Sequence, residues 1–142
     1  MRYLLDTDIC SYVIRARDSR LLAVMEEKVL AGADLSISVV TYSEMRLGAE
    51  RSRNAQRYNK AIRALCDRLS DVIAWDRPAA DEFARLQARL LDAGTPIGGN
   101  DAMIAAHALS LGRVLITNNE KHFSRVPRLA VENWARHSSA IL

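Results

Sequence analysis

The sequence predicts an α/β fold, with a mostly parallel central sheet of four to five short strands and helices on both faces. Short apolar runs without polar alternation recur between helix-like stretches, which is the pattern of a parallel sheet covered on both sides. The clearest case is residues 98–123, where a glycine pair precedes an apolar helix, another glycine and a short apolar strand. The length of 142 residues suits a single domain.

The first strand covers residues 2–5 and ends at Asp6. An acidic side chain at this point lies at the carboxyl end of a strand, where parallel sheets carry their functional groups. Asp8 is placed to cap a helix over residues 9–16, and residues 19–30 have the apolar spacing of a second helix.

The second strand covers residues 35–38, and Thr41 is predicted to open the helix that follows it. Glu44 stands three positions after Thr41, which is the spacing of a capping box, so stabilisation of the helix end is one explanation for this glutamate. Apolar residues recur at helical spacing over residues 58–69, and residues 72–75 form a third strand.

A further helix begins near Pro78, because proline suits the first turn of a helix. Asn100 or Asp101 is then placed to cap a helix over residues 102–109, which is apolar enough to be buried on most of its circumference. Gly112 suits the left-handed position that ends a helix.

The fourth strand covers residues 114–117, and a last short strand covers residues 129–131. Trp134 is predicted to pack over the edge of the sheet. The domain is expected to extend over residues 1–134, and residues 135–142 are expected to form a C-terminal tail. Because strands alternate with helices throughout, the carboxyl ends of the strands should meet at one rim.

Composition narrows the class of protein. No stretch is long and apolar enough to span a membrane and no signal peptide opens the chain, so we expect a soluble, cytoplasmic protein. Cys10 and Cys66 match no metal or redox spacing and are predicted to be buried free thiols. The net charge is +3, and residues 46–68 carry seven basic side chains: Arg46, Arg51, Arg53, Arg57, Lys60, Arg63 and Arg68. Such a stretch indicates a polyanionic substrate, with an ordinary solvated helix face as the alternative.

Four oxygen-bearing side chains are predicted to converge at the rim of the sheet: Asp6, Glu44, Asp101 and Asn119. Carboxylates that are brought together repel one another unless a cation neutralises them. An all-oxygen set favours Mg²⁺, with Mn²⁺ as a substitute, over zinc. Each residue also has a local explanation as a cap or turn former. A metal ion held here can orient a phosphodiester and activate water.

Four blocks of the sequence together resemble a known family. They are LLDTD near the N-terminus, SVVTYSEMRLGAERS from Ser38, GGNDAMIAAHALSLG from Gly98 and VLITNNEKHF from Val114. In this order they resemble a PIN domain, specifically the VapC-type ribonuclease toxins of type II toxin–antitoxin systems. The resemblance implies a Mg²⁺-dependent endoribonuclease that cuts single-stranded regions of structured RNA, with the tRNA anticodon loop as the expected target, and so inhibits translation. It also implies a cognate antitoxin protein as partner and a homodimer.

The resemblance assigns roles to individual residues. Asp6, Glu44 and Asp101 match the acidic metal-binding and catalytic positions of the family. Asn119 matches a fourth position that is often aspartate, and because an amide is a neutral ligand we expect one firmly held Mg²⁺, with a second recruited with substrate. Thr117 and Asn118 are expected to shape the turn rather than to bind the ion.

Two alternatives remain at the level of sequence. A haloacid-dehalogenase-like phosphatase would use Asp6 as nucleophile and Asp8 as general acid, but Cys10 stands where threonine or valine is usual and no lysine stands at the expected place just before the GGNDA loop. The second alternative is a catalytically inactive module that binds RNA or a partner protein. Three carboxylates in the cleft argue against it, because a binder of polyanions gains nothing from negative charge there.

Overall fold

The computed structural model describes residues 1–15 and 19–135. Within these residues the chain forms five strands and seven helices in alternation. In chain order they are β1 (Arg2–Leu5), α1 (Thr7–Ile14), α2 (Ser19–Leu30), β2 (Asp34–Ser38), α3 (Val39–Glu50), α4 (Ala55–Arg68), β3 (Asp71–Ile73), α5 (Arg77–Asp92), α6 (Gly99–Leu111), β4 (Val114–Ile116), α7 (Glu120–Phe123) and β5 (Val131–Glu132).

The five strands form one sheet in the order β3-β2-β1-β4-β5. All of its pairings are parallel, and Leu5 in the central strand lies opposite Ile37 of β2 and Ile116 of β4. The predicted parallel α/β architecture is confirmed. The chain builds one side of the sheet first and then crosses to the other side of β1, so the carboxyl ends of β1 and β4 form a topological switch point, where ligands bind in sheets of this kind.

The central strand is buried on both faces. Tyr3 and Leu5 pack in a core with side chains of α1, α2, α3 and α4, whereas Leu4 packs in a second core with α5 and α6. This division follows from the alternation of side chains along a strand. The three consecutive apolar residues of β1 that follow Arg2 therefore place helices on both faces of the sheet, as the apolar runs predicted.

Two predicted helix caps are wrong, because each helix begins earlier than its sequence signal. α1 is capped by Asp6, which accepts a hydrogen bond from the Ile9 backbone N–H at 2.8 Å, and not by Asp8. α3 is capped by Ser38, whose Oγ accepts from the Val40 backbone N–H at 3.1 Å. Thr41 is consequently buried inside α3. Both helices begin directly after their strands.

The start of α6 also differs from the prediction. Its cap position is Gly98, whose φ of +91° is a conformation that favours glycine. Asn100 and Asp101 therefore lie in the first turn of the helix and are not its caps. The predicted end is confirmed, since Gly112 terminates α6 in the left-handed conformation.

The two edges of the sheet depart from the predicted bounds. β3 ends at Ile73, and the Trp75 indole N–H donates to the Met103 carbonyl oxygen at 3.1 Å, which ties this segment to α6. At the other end, Trp134 packs edge-to-face on Tyr3 with ring centroids 4.9 Å apart. Trp134 therefore covers the central strand, and the prediction that it packs over the sheet edge is wrong.

The ends and thiols of the chain complete the fold. Ala135 packs in the core, and the rest of the predicted tail, residues 136–142, lies outside the described residues. Cys10 and Cys66 are free thiols, the first buried and the second half-buried. Within residues 1–15 and 19–135, no helix combines the length and the apolar character needed to cross a bilayer.

A buried histidine connects the two sides of the sheet. His107 of α6 is fully buried, and its Nδ1 lies 2.8 Å from Oγ of Ser38, the residue that caps α3. Burial lowers the pKa of His107 below its usual value of 6.5. The folded protein therefore keeps a neutral imidazole that the unfolded chain would protonate.

We expect this imidazole to make the fold sensitive to mild acid. Folding lowers the pKa of His107. The neutral imidazole therefore makes its full contribution to the free energy of unfolding above about pH 6.5, and this contribution is lost as the pH falls below that value. His107→Gln keeps hydrogen-bonding capacity but cannot be protonated. Its melting temperature should therefore depend less on pH between about pH 7.5 and pH 5 than that of the parent, as measured by calorimetry. Parallel curves would contradict this role of His107.

Candidate active site

The predicted site residues come together at the switch point of the sheet. Asp6 follows β1 directly, and Glu44 lies in α3, the helix that follows β2. Asp101 is in the first turn of α6, and Asn119 follows β4. The carboxyl ends of three adjacent strands and one helix N-terminus thus supply the four side chains.

Asp6 is the most deeply buried of the acidic residues, with only 2% of its surface exposed. Its Oδ1 accepts from the Ile9 N–H, and its Oδ2 accepts from the Thr117 hydroxyl at 2.5 Å. Burial raises the pKa of Asp6 to about 7, and the negative charges of Asp8 and Asp101 add to the shift, while the two hydrogen bonds oppose it. The carboxylate is therefore fixed in place but poorly neutralised.

Asp101 is held by a histidine that the sequence analysis did not single out. His122 of α7 lies with Nε2 at 3.1 Å from Asp101 Oδ2 and at 2.6 Å from the Ile97 carbonyl oxygen. Burial raises the pKa of Asp101, and so does the charge of Glu44, whereas His122 opposes the shift. His122 therefore connects the loop before α6 to the first turn of that helix.

Glu44 lies where three helices meet. Its Oε1 accepts from the Thr7 hydroxyl of α1 at 2.6 Å, and its Oε2 accepts from the Asn100 amide of α6 at 3.2 Å. The Thr7 hydroxyl is also 3.2 Å from that of Thr41. The capping-box explanation of Glu44 is wrong, since its carboxylate joins α1 and α6 and does not contact the start of its own helix.

Asn119 is placed by the turn that follows β4. Its backbone N–H donates to Thr117 Oγ1 at 2.9 Å, so the same hydroxyl serves both Asp6 and this turn. Asn118 donates from its amide to the Tyr12 hydroxyl at 2.9 Å. Thr117 and Asn118 thus shape the turn, as predicted. Among the described residues, the Asn119 side chain forms no hydrogen bond to the three carboxylates.

The acidic side chains have the chemistry of a site for a hard cation. The charge of Asp101 raises the pKa of Asp6, and the charge of Glu44 raises the pKa of Asp101, so the three carboxylates repel one another. A positive ion would relieve this repulsion, and all-oxygen ligands suit Mg²⁺ or Mn²⁺. In residues 1–15 and 19–135, however, no three His, Cys, Asp or Glu side chains already stand close enough to hold an ion.

An open cleft gives access to this group. It has a volume of about 430 Å³ and is lined by Glu44 and residues 97–101. The Gly98 and Gly99 positions carry no side chain that would narrow it, and a Cβ at either would meet nothing within 4 Å. A bulky substrate can therefore reach Glu44 and Asp101 from solvent.

The basic stretch divides into paired and unpaired side chains. Arg68 pairs with Glu26 at 3.1 Å, and Arg46 contacts Glu50 and Asn59. The other five form no ion pair with any residue in the described part of the chain: Arg51, Arg53, Arg57, Lys60 and Arg63. Ile62 and Leu65, in the apolar stripe of α4, are buried in the core, so these two side chains are not a free surface for dimerisation.

Three polar residues that orient the carboxylates were missed as functional residues: Thr7, Asn100 and His122. Thr7 and Asn100 are adjacent in sequence to a predicted strand end and a predicted helix start, which was the available signal, whereas His122 lies in α7, a helix that the sequence analysis did not predict. Their roles depend on contacts across the fold, such as the hydrogen bond between Thr7 and Glu44, which are separated by 37 positions in the sequence. Sequence spacing alone does not reveal such contacts.

Comparison with known proteins identifies what the chain is similar to. The family model described as PIN domain matches residues 3–129. The tRNA(fMet)-specific endonuclease VapC of Shigella flexneri is 36% identical over 135 residues, which cover 95% of this chain and 99% of that protein. Ribonuclease VapC2 of Rickettsia felis is 31% identical over 134 residues, covering 94% and 98%.

Solved structures give the same result. The crystal structure of VapBC2 from Rickettsia felis bound to a DNA fragment from their promoter superposes with a TM-score of 0.89 at 30% identity, over 94% of this chain and 99% of that one. The structure of DNA-bound VapBC from Salmonella typhimurium has a TM-score of 0.87 at 31% identity, over 94% and 98%.

The raised pKa of Asp6 predicts a stabilising substitution. Because the pKa is raised on folding, the ionised carboxylate lowers stability progressively from about pH 4 to about pH 7. Asp6→Asn keeps an acceptor for the Ile9 N–H and removes the charge. In EDTA, we expect its melting temperature to exceed that of the parent by on the order of 4 °C at neutral pH, with the difference vanishing near pH 4.

Asp76→Asn is the matched control for Asp6→Asn. Asp76 caps α5 by accepting from the Ala79 N–H at 3.1 Å, as Asp6 caps α1, but it is exposed. This variant should show no pH-dependent gain in stability. Equal behaviour of the two variants would mean that the gain comes from capping and not from relief of charge repulsion at Asp6.

The contact between His122 and Asp101 predicts a role in metal binding. His122→Ala should weaken Mn²⁺ binding, measured by titration calorimetry, by about 10- to 100-fold, the usual effect of losing a group that orients a ligand. His122→Gln can still donate to Asp101 and should recover part of the affinity. Unchanged affinity in His122→Ala would show that Asp101 needs no such support.

Proposed function

This chain belongs to the PIN-domain family, in its VapC group of ribonucleases, and on that premise we propose that it is a metal-dependent endoribonuclease and the toxin of a toxin–antitoxin pair. Its catalytic domain comprises residues 1–134. The residues that carry the reaction are Asp6, Glu44, Asp101 and Asn119.

One observation supports this function above the others. The carboxylate of Asp6 is buried, oriented through both oxygens, and surrounded by the negative charges of Asp8 and Asp101. Such an arrangement costs stability in the absence of a cation, and carboxyl groups with a strongly raised pKa are typical of functional sites. The arrangement is useful when a positive ion binds at the rim of the sheet.

Asp6, Glu44 and Asp101 would hold a Mg²⁺ ion, with Asn119 as a weaker, neutral ligand, and Mn²⁺ would substitute. The bound ion would activate water and stabilise the charge that develops on the phosphodiester. The protein orients the ligands, since Thr117 holds Asp6 and His122 holds Asp101. Each oxygen of Glu44 accepts one hydrogen bond, from Thr7 or from Asn100, and keeps a further lone pair that could coordinate the ion.

The substrate is RNA, and a tRNA anticodon loop is the expected target. Two relatives at 36% and 34% identity are named tRNA(fMet)-specific endonucleases. The unpaired arginines and lysine of residues 51–63 would bind the phosphates around the cut, since cations of this kind neutralise a nucleic-acid backbone. An accessible cleft beside Glu44 and Asp101 suits an unpaired strand, which a loop presents.

An antitoxin protein is the expected partner. The structures at TM-scores of 0.89 and 0.87 are complexes named VapBC, and both are bound to DNA. We also expect a homodimer. Ile62 and Leu65 are buried in the core of the chain, so these two side chains do not form its interface. A protein whose substrate is tRNA would act in the cytoplasm.

Neither alternative is supported by the geometry. For a phosphatase, Asp6 would have to attack phosphorus directly, yet only 2% of its surface is exposed, which suits contact with a small ion better than contact with a phosphate ester. For an inactive RNA-binding module, the three carboxylates at the cleft would only repel the ligand. RNA cleavage that depends on a metal ion would distinguish the proposed nuclease from the phosphatase and from the inactive module.

The decisive experiment incubates the purified protein with bulk tRNA, with Mg²⁺ or with EDTA. We expect discrete fragments only with the metal ion. Asp101→Asn should reduce cleavage by at least about 100-fold, because it removes a charged ligand, while its circular dichroism spectrum and melting curve remain those of a folded protein.

Asp92→Asn is the control substitution, because Asp92 is exposed at the end of α5 and removal of its charge should leave cleavage unchanged. RNA binding without cleavage under any condition would favour the inactive module. Hydrolysis of a small phosphate ester, with an aspartyl phosphate trapped on Asp6, would favour the phosphatase.

A further inference from the structure

A second cleft adjoins the acidic group on the other side of Glu44. It has a volume of about 380 Å³ and is bounded by α1, α3 and the first turn of α4. Its lining includes Thr7, Ser11, Arg15, Glu44, Gly48, Ser52 and Tyr58. Glu44 is common to both clefts, so they meet at the candidate catalytic group.

Gly48 keeps this cleft open at a cost to its helix. It lies inside α3, where glycine is less favourable than alanine by about 1 kcal/mol. Neither packing nor backbone conformation requires glycine here, since a Cβ would meet nothing within 4 Å and φ is not positive. The absence of a side chain at Gly48 therefore leaves the cleft open, and a larger residue would partly fill it.

The walls of this cleft offer groups that suit a nucleotide. The hydroxyls of Ser11 and Tyr58 form no hydrogen bond with any other residue in the described part of the chain, so both are free for a ligand. Tyr58 also supplies an aromatic ring, and nucleic-acid bases stack on such rings. Arg15 lies at the exposed end of α1 and can contact a phosphate.

The surroundings of the cleft are cationic. Arg51, Arg53 and Arg57 are exposed on either side of Ser52 and Tyr58, and with Arg15 they form no ion pair within residues 1–15 and 19–135. Glu44 is the only acidic residue among those that line the cleft. This distribution favours a polyanion that approaches Glu44 along a basic path.

We propose that this cleft, which we call the Gly48 cleft, binds one nucleotide of the RNA strand next to the phosphodiester that is cut. The base contacts Tyr58, and a flanking phosphate contacts the arginines. The inference rests on the proposed ribonuclease activity. A strand that fills both clefts crosses Glu44 and lies beside Asp101, so the Gly48 cleft sets the position of the chain relative to the carboxylates. The volume is within the range of small-molecule sites.

The test fills the cleft without disturbing the fold. Gly48→Leu places a side chain in open space on a helix that prefers leucine, so its melting temperature should equal or exceed that of the parent. Its kcat/KM for the RNA that the parent cuts should fall by at least about tenfold, the loss expected from one stacking contact. Ala88→Leu adds bulk to an exposed position of α5 and is the control, with unchanged activity.

A second pair of variants keeps the proposal testable if Gly48→Leu fails to fold. RNA labelled with 2-aminopurine beside the cut site is bound in EDTA, where stacking on an aromatic ring quenches its fluorescence. The parent and Tyr58→Phe should quench the label, whereas Tyr58→Ala should not. Quenching that persists in Tyr58→Ala would overturn the assignment of the base to this residue.

The outcomes separate this inference from the proposed function. A parent that cuts no RNA would refute the proposed function, and the nucleotide site with it. A parent that cuts RNA beside a Gly48→Leu variant of equal kcat/KM would overturn the nucleotide site alone. If that variant keeps its kcat/KM but no longer binds the cognate antitoxin protein, the cleft belongs to the protein partner and the proposal is wrong.

Discussion

The buried carboxylate of Asp6 is the constraint on which the site depends. One oxygen caps α1 through the Ile9 N–H, and the other accepts from Thr117 at the end of β4. These bonds join the central strand, the first helix and the neighbouring strand at the switch point of the sheet. The same side chain carries a pKa raised to about 7, chiefly because it is buried. Structure and chemistry therefore meet in one group, and a cation that binds there would recover stability that the metal-free fold gives up.

The remaining carboxylates are supported in a similar way by residues distant in sequence. Glu44 accepts from Thr7 and Asn100, and Asp101 is held by His122. Each donor comes from a different element, so the relative positions of α1, α3, α6 and α7 set the geometry of the acidic group. Packing around the sheet thus determines how the ligands face one another, and a substitution that shifts one helix would disturb the site without touching a carboxylate.

Charge and shape divide the surface around Glu44 into two regions. On one side lies the cleft that Asp101 and residues 97–100 line, and on the other lies the Gly48 cleft with its basic surroundings. The acidic region suits a cation and the basic region suits a phosphate backbone. A nuclease must bind a polyanion beside a group of carboxylates that repel it. Here the basic residues and the carboxylates lie on opposite sides of Glu44, so the phosphate backbone can bind without lying directly on the carboxylates.

The sequence by itself determined the parallel α/β fold, the buried nature of α6 and the left-handed end at Gly112. It also determined which acidic residues, Asp6, Glu44 and Asp101, lie near one another at the rim of the sheet. These features depend on hydrophobic pattern and on residues close together in the chain. Only the tertiary structure decided that Asp6 and Ser38 cap their helices in place of Asp8 and Thr41, because a cap depends on where the preceding strand ends. It also decided the partners of Glu44 and Asp101 and the existence of the Gly48 cleft. Such contacts join elements far apart in sequence, and they arise only when the helices pack on the sheet.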